Sequence, residues 1–270
     1  MNFLKYQIKN FLWKSSLRRC MKDLNIDDPF VAKIYLAIEE TLSRKEKLEE
    51  KCFFTSIEQI RQNFLSNSTS VLVVDFGVGK PEEIRSKKEI KEGITHLSTY
   101  GEIALGSKPE IWAVLLSNLI RQFQPITGIE LGTCIGISAA YQGVAIKLNG
   151  KGQLFTLEGS PAIADIARDN LKSLDLDMVS VITGRFIDTL PKILEENAPI
   201  DYVFIDGHHD EKATWDYYQL LLPFLSSQAL LVFDDISWSS GMKNVWKKIA
   251  SNNKVALSVD LDMVGICVMK

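Results

Sequence analysis

The sequence predicts an α/β fold: a doubly wound, mostly parallel seven-stranded sheet with a reversed last strand, preceded by a helical extension. Three observations predict it. From about residue 126 onward, strand-like and helix-like segments alternate through five successive units. The strand segments are continuously apolar rather than alternating, as expected of strands covered on both faces. After the fifth unit come "KVALSVD" and "DMVGICVMK", two β-rich runs with no room for a helix between them. They must pair as a hairpin, which turns the last strand against the others.

The units read in order as "ITGIEL" with "IGISAAYQGVAIKL", "GQLFTLE" with "PAIADIARDNLKSL", "MVSVITG" with "RFIDTLPKILEEN", "IDYVFID" with "KATWDYYQLLLPFL", and "SQALLVFDD" with "SGMKNVWKKIASN". Right-handed crossovers then place helices on both faces of the sheet. Residues 108–270 form this domain, and residues 1–107 form a mostly helical extension suited to a lid or to oligomerisation, including a homodimer. Within the extension, residues 28–66 are helical and highly charged, "SVLVVDFGVGK" is a strand with a glycine turn, and "PEEIRSKKEIKEGITHLS" is polar helix or loop. "PEIWAVLLSNLIRQF" is an amphipathic helix leading into the sheet. The first 22 residues carry Lys5, Lys9, Lys14, Arg18, Arg19 and Lys22 without an acid, while Phe3, Leu4, Ile8, Phe11 and Leu12 recur at helical spacing. Such a basic amphipathic helix packs on its own domain or a partner subunit, or lies on an anionic membrane surface. Charges interrupt every stretch that could serve as a secretory h-region.

With 270 residues, 46% of them hydrophobic, the chain can bury a sizeable core. A formal net charge of -3 offers no basic excess for phosphate neutralisation, so no nucleic-acid partner is expected. Cys20, Cys52, Cys134 and Cys267 lie far apart, which fits reduced, mostly core thiols in a cytoplasmic protein. No apolar run is long enough to span a bilayer.

In an open parallel sheet, ligands bind outside the carboxyl ends of the strands near the switch in strand order. The first strand–helix turn, "GIELGTCIGIS", holds Glu130, Gly132 and Gly136. Gly132 allows close backbone approach to a ligand, and Gly136 opens the helix. Glu158 ends the next strand, where an acid can accept hydrogen bonds from both ribose hydroxyls. A nicotinamide-binding turn would read G-x-G-x-x-G, and here its second glycine is Cys134. Asp206 ends the fourth strand and Asp234 and Asp235 end the fifth. Those strands are neighbours in the inferred order, so three carboxylates meet at one rim, where they need a cation. Hard oxygen donors suit Mg²⁺, Mn²⁺ or Ca²⁺ more than zinc. "FIDGHHDE" adds His208 and His209, and His209 is a candidate base for a hydroxyl proton. Trp238, just after the acid pair, is a candidate substrate wall, while "VDFGVGK" at 74–80 and His96 are weaker candidates for the cofactor and a substrate lid.

"IELGTCIGIS" followed by "LFTLEGSPAIADIARDNLKSL" resembles the class I S-adenosylmethionine (SAM)-dependent methyltransferases, and among them the metal-dependent small-molecule O-methyltransferases of catechol, caffeoyl-coenzyme A and sugar hydroxyls. The resemblance covers about residues 108–270. It implies the Rossmann-like methyltransferase fold, SAM as cofactor, and methyl transfer to a small-molecule acceptor. It places Glu130 and Gly132 at the methionine end of the cofactor, with Thr133, Gly136 and Ser138 of the same turn. Glu158 and Gly159 would meet the ribose, and the segment "TGRF", with Gly184 and Arg185, would edge the adenine, though the acid or amide frequent there in relatives is missing. Asp206 and His208 would also face the cofactor. By the same resemblance Asp206, Asp234 and Asp235 would ligate the metal, and His209 stands where catechol-type relatives carry a lysine base. Two alternatives are a metal-independent methyltransferase on another acceptor and a nicotinamide-dependent oxidoreductase.

Overall fold

The computed structural model describes residues 3–77 and 85–270. The chain opens with three helices, α1 (Phe3–Lys22), α2 (Pro29–Ser43) and α3 (Leu48–Leu65). Asp28 starts α2 by accepting from the amides of Phe30 and Val31, with Pro29 pre-set for the first turn. Then come β1 (Ser70–Asp75), the short α4 (Lys87–Glu92), β2 (Ile94–Thr99), α5 (Tyr100–Leu105) and α6 (Glu110–Phe123). The regular part follows as β3 (Thr127–Leu131), α7 (Ile137–Asn149), β4 (Gln153–Glu158), α8 (Pro161–Ser173), β5 (Val179–Thr183), α9 (Phe186–Asn197), β6 (Ile200–Ile205), α10 (Glu211–Leu221), β7 (Leu225–Phe233), α11 (Ser240–Ala250), β8 (Val255–Asp260) and β9 (Gly265–Met269).

Among the described residues the main sheet has seven strands in the order β5-β4-β3-β6-β7-β9-β8. The pairs from β5 through β7 are parallel, while β9 runs antiparallel to both β7 and β8. The expected fold class is therefore present. Every residue of β3 and of β9 is buried, which explains why β9 reads as an unbroken apolar run and why β3 is apolar but for Thr127 and Glu130. One core, built on α2, α6 and α7, fills one face of the sheet, and a second, built on α9, α10 and α11, fills the other. The switch in strand order falls at β3, between β4 and β6.

Several expectations for the first half are corrected. Residues 94–99, read as helix or loop, form β2, which pairs antiparallel with β1 from Ser70↔Thr99 to Asp75↔Ile94. No residue of β2 is buried and three of its six are exposed, so no buried face marks it in the sequence. Helix α6, amphipathic in sequence, keeps no solvent face in the structure: residues 111–120 are buried without a break, with α2 and α7 packed against it. Of the cysteines, all free, only Cys267 is buried and Cys52 is exposed. Helix α1 anchors on its own chain through buried Leu17 and through Trp13 against Trp112, yet leaves Ile8, Phe11 and Leu12 exposed. Among the described residues no helix is long and apolar enough to cross a membrane.

Candidate active site

The turn after β3 is the first component. Gly132 sits at φ +110°, and a Cβ there would lie 2.3 Å from the carbonyl oxygen of Asp206. Only glycine lets the ends of β3 and β6 approach this closely. Gly136, at φ +84°, starts α7. Cys134 takes φ +49° without being glycine, and its strained amide is held by Glu158, whose Oε2 accepts from it at 3.0 Å. The other oxygen of Glu158 accepts from the Ser160 amide at 2.9 Å. Burial pushes the Glu158 carboxyl up, opposed by these amides.

Glu130 lies beneath the turn rather than on its open side. Its buried carboxylate accepts from Gln142 Nε2 at 2.6 Å and Thr156 Oγ1 at 2.5 Å, and Ser138 also bonds to it. Burial pushes its pKa up to about 7 despite these donors. Thr133 pairs with Thr156 at 2.6 Å, so the buried polar side chains of the turn form one internal network.

The second component is the acid rim. Asp206 follows β6, and Asp234 and Asp235 follow β7; the strand-end amides of Asp206 and Asp234 each bond to the neighbouring strand, at 2.9 Å in both cases. The three carboxylates converge as the sequence predicts, but the cation among them is Lys108, from the loop before α6. Its ammonium bonds to Asp234 Oδ2 and stands 3.1 Å from Asp206 Oδ2, with only 8% of the side chain exposed. Burial would depress the Lys108 ammonium, but Asp206, Asp234 and Asp235 outweigh it and hold it above its ordinary value. Burial also raises Asp234, yet Lys108 overcomes this and holds it low. Asp206 is pushed well up by burial and by Asp234, and Asp235 is pushed up for the same reasons. The divalent-ion expectation for Asp206, Asp234 and Asp235 meets this lysine: in the structure their carboxylates face the Lys108 ammonium. Their donor set is committed to an ammonium and does not fit a metal in this arrangement, and among the described residues no group of three His, Cys, Asp or Glu is placed to hold one. Nothing in the sequence pattern around Lys108 singled it out; the unmet need of three aspartates for a cation was the available signal.

The histidines divide their roles. His208 Nδ1 lies 2.9 Å from the Tyr217 hydroxyl of α10, with its ring edge-on to Phe186. Burial holds it below its ordinary pKa. His209 Nε2 stands 3.7 Å from Asp206 and Nδ1 3.8 Å from Asp235, both beyond hydrogen-bond range. Arg185, at the start of α9, is engaged by Asp188 and by the carbonyl of Lys91 at 2.7 Å.

Two cavities meet over these residues. A smaller one of about 200 Å³ is lined by Lys108, Gly132, Thr133, Cys134 and Ser138, and a larger cleft of about 880 Å³ is walled by Gly159, Arg185, Phe186, His208 and Trp238. Glu158, Asp206 and His209 border both. Glu130, Gly136, Gly184, Asp234 and Asp235 border neither, so they act, if at all, from behind the wall. The β1–β2 hairpin closes the larger cleft with Asp75, Phe76, Gly77 and His96, and it is tied down by the Val74 amide donating to Ser160 Oγ at 3.2 Å. The weaker candidates "VDFGVGK" and His96 thus reach the site, although Val78, Gly79 and Lys80 lie outside the described residues.

Residues 129–236 match a family model described as a methyltransferase domain. A catechol O-methyltransferase of Niastella koreensis is 36% identical over 110 residues, which are 40% of this chain and 48% of that protein. A catechol O-methyltransferase of Mycobacterium tuberculosis is 32% identical over 115 residues, 42% of this chain and 50% of that one. The chain spans about half the length of these curated relatives. An O-methyltransferase from Bacillus cereus, solved in complex with SAH, superposes with TM-score 0.52 at 25% identity over 61% of this chain and 83% of its own. An O-methyltransferase of Streptomyces achromogenes in complex with SAM shares the fold, with TM-score 0.53 at 21% identity over 61% and 82%. The glycine turn and the sheet order with its reversed strand accompany these matches, so residues 129–236 are similar to a methyltransferase domain and share the fold of O-methyltransferases solved with SAH or SAM.

Proposed function

We propose that this chain transfers the methyl group of SAM to an oxygen atom of a small-molecule acceptor. The observation that carries the reading is the junction of the two cavities at Glu158, Asp206 and His209. A cofactor whose methionine end enters the small cavity beside Gly132, and whose ribose meets Glu158, presents its sulfonium methyl at this junction. The adenosine then lies along Gly159, Phe186 and His208, and the acceptor occupies the part of the larger cleft next to His209 and Trp238. That cleft is within the size range of small-molecule sites.

The chemistry needs a positioned oxygen and somewhere for its proton to go. The acceptor oxygen forms the new bond to the methyl carbon as the carbon–sulfur bond breaks, its electron pair staying on sulfur to give S-adenosylhomocysteine. His209 takes the hydroxyl proton, and the nearby Asp206 and Asp235 offset the positive charge the ring gains. Lys108 and its carboxylates fix the polarity of the wall on the acceptor side.

Calorimetric titration of SAM and S-adenosylhomocysteine into wild type and Glu158→Ala tests the cofactor assignment. Wild type is expected to bind both and the variant to lose at least about tenfold in affinity, the loss of one charge-assisted contact pair. Failure of both ligands to bind wild type refutes the reading. Release of S-adenosylhomocysteine on incubation with a panel of phenols, sugars and carboxylic acids then tests for the oxygen acceptor.

A further inference from the structure

We infer that Lys108 is the resident cation of the acceptor pocket, occupying the position a divalent ion would take among Asp206, Asp234 and Asp235 and donating to the acceptor oxygen in its stead. The inference rests on the proposed function for the acceptor, but its claim about the cation stands on geometry alone. An ammonium has three donors. Asp234 and Asp206 take two of them, and the side chain lines the small cavity together with Gly132, Ser138 and His209. The third donor is left for a ligand at the junction. Behind it the Phe204 ring centroid lies 5.7 Å from Nζ, so the ammonium is backed by an aromatic face rather than by water.

The loop that carries Lys108 is held as a dedicated support. Arg61 of α3 donates to the Lys108 carbonyl at 2.7 Å and to Ser107 Oγ at 2.8 Å. Glu58 grips the same guanidinium at 2.9 and 3.1 Å, and Tyr141 of α7 donates to Glu58 at 3.0 Å. Two helices, α3 and α7, thus fix the backbone from which Lys108 reaches the rim. A divalent ion entering the rim would share Asp234 with a fixed ammonium or displace that ammonium into a buried place without a partner. Either outcome opposes metal binding through charge repulsion and lost pairing at short range.

The test is a Mn²⁺ titration of the full chain, followed by the electron paramagnetic resonance signal of free Mn²⁺ with S-adenosylhomocysteine present. Wild type is expected to leave the Mn²⁺ signal undiminished. Lys108→Ala is expected to bind Mn²⁺ at least about tenfold more tightly than wild type, since it removes the competing charge. Adding Asp234→Asn to Lys108→Ala is expected to abolish that gain. Tight Mn²⁺ binding by wild type that Asp234→Asn removes overturns the inference, and so does a folded Lys108→Ala protein with no gain. Should Lys108→Ala fail to fold, the wild-type and Asp234→Asn titrations decide alone. S-adenosylhomocysteine binding measured on the same wild-type protein reports separately on the proposed function.

Discussion

Replacing Glu130 by Gln is expected to stabilise the protein above neutral pH while leaving the fold intact. Glu130 is fully buried and its pKa rises from 4.5 to about 7, chiefly through loss of hydration. In the unfolded chain the carboxyl ionises near its ordinary value. An acid whose folded pKa is raised contributes stability that is complete below the unfolded pKa and is lost as pH rises through the folded one. The window is therefore from about pH 4.5 to about pH 7. A shift of this size corresponds to about 3 kcal/mol at the upper end, taken at 1.36 kcal/mol per pH unit. Gln at this position has no such dependence and can be satisfied in place. Its carbonyl accepts from Thr156 as the carboxylate does, and a flip of the Gln142 amide turns Oε1, a buried atom without a partner among the described residues, to accept from the new amide. Urea denaturation of both proteins from pH 4.5 to pH 8.5 reads the effect. The stability of Glu130→Gln relative to wild type should climb through the window and level off above it. A difference that stays flat with pH, or that falls as pH rises, refutes the assignment of the raised carboxyl.

Three further outcomes follow from the rim. Gly132→Ala places a methyl group 2.3 Å from the Asp206 carbonyl at φ +110°, so a loss of about 2–4 kcal/mol in thermal or urea unfolding and of S-adenosylhomocysteine binding by calorimetry is expected. His209→Gln is expected to lower kcat by about 10²–10⁴ with the cofactor affinity unchanged, measured on the acceptor that the panel identifies; an unaltered kcat removes His209 as the proton acceptor. Asp235→Asn is expected to raise stability by up to about 1 kcal/mol at neutral pH, since asparagine tolerates the φ of +50° and removes a carboxylate that burial and Asp234 disfavour. That gain should shrink as the pH is lowered and wild-type Asp235 takes up its proton, which denaturation at two pH values checks.

How much of this was legible depends on where each element's information resides. The parallel strands and their helices were readable because the carboxyl halves of β6 and β7, Tyr202–Ile205 and Ala229–Phe233, are buried apolar runs, so the acids that follow them stand out. The convergence of Asp206 with Asp234 followed from strand order alone. Strand β2 was not readable, because its partner β1 lies about 25 residues away and none of its own residues is buried. The full burial of helix α6 was hidden for the opposite reason: the residues that would have marked a solvent face are covered by α2 and α7, a tertiary fact. Lys108 was missed because a lysine before an apolar helix ordinarily reads as a solvated charge, and only the fold brings it 126 residues forward to Asp234. Glu130 was legible as an acid at a glycine turn, but which side of the turn it faced depended on Thr156 and Gln142.

The backbone supplies an independent sign that this rim is built for chemistry. Of nine described non-glycine residues at positive φ, four lie at the carboxyl ends of β3, β6 and β7: Cys134, His208, His209 and Asp235. Each such conformation costs on the order of 1 kcal/mol or more and persists only where surrounding structure leaves no cheaper choice. Here Glu158 holds the Cys134 amide, and the Tyr217 hydroxyl and Phe186 ring hold His208. Relaxing any one of them would move the wall where the two cavities meet. The strain therefore falls on the same three strand ends that carry the glycine turn, His209 and the carboxylates that bind Lys108. A chain selected for stability alone would place glycine or asparagine at these positions, so the residues found there are explained by what they present to the cleft.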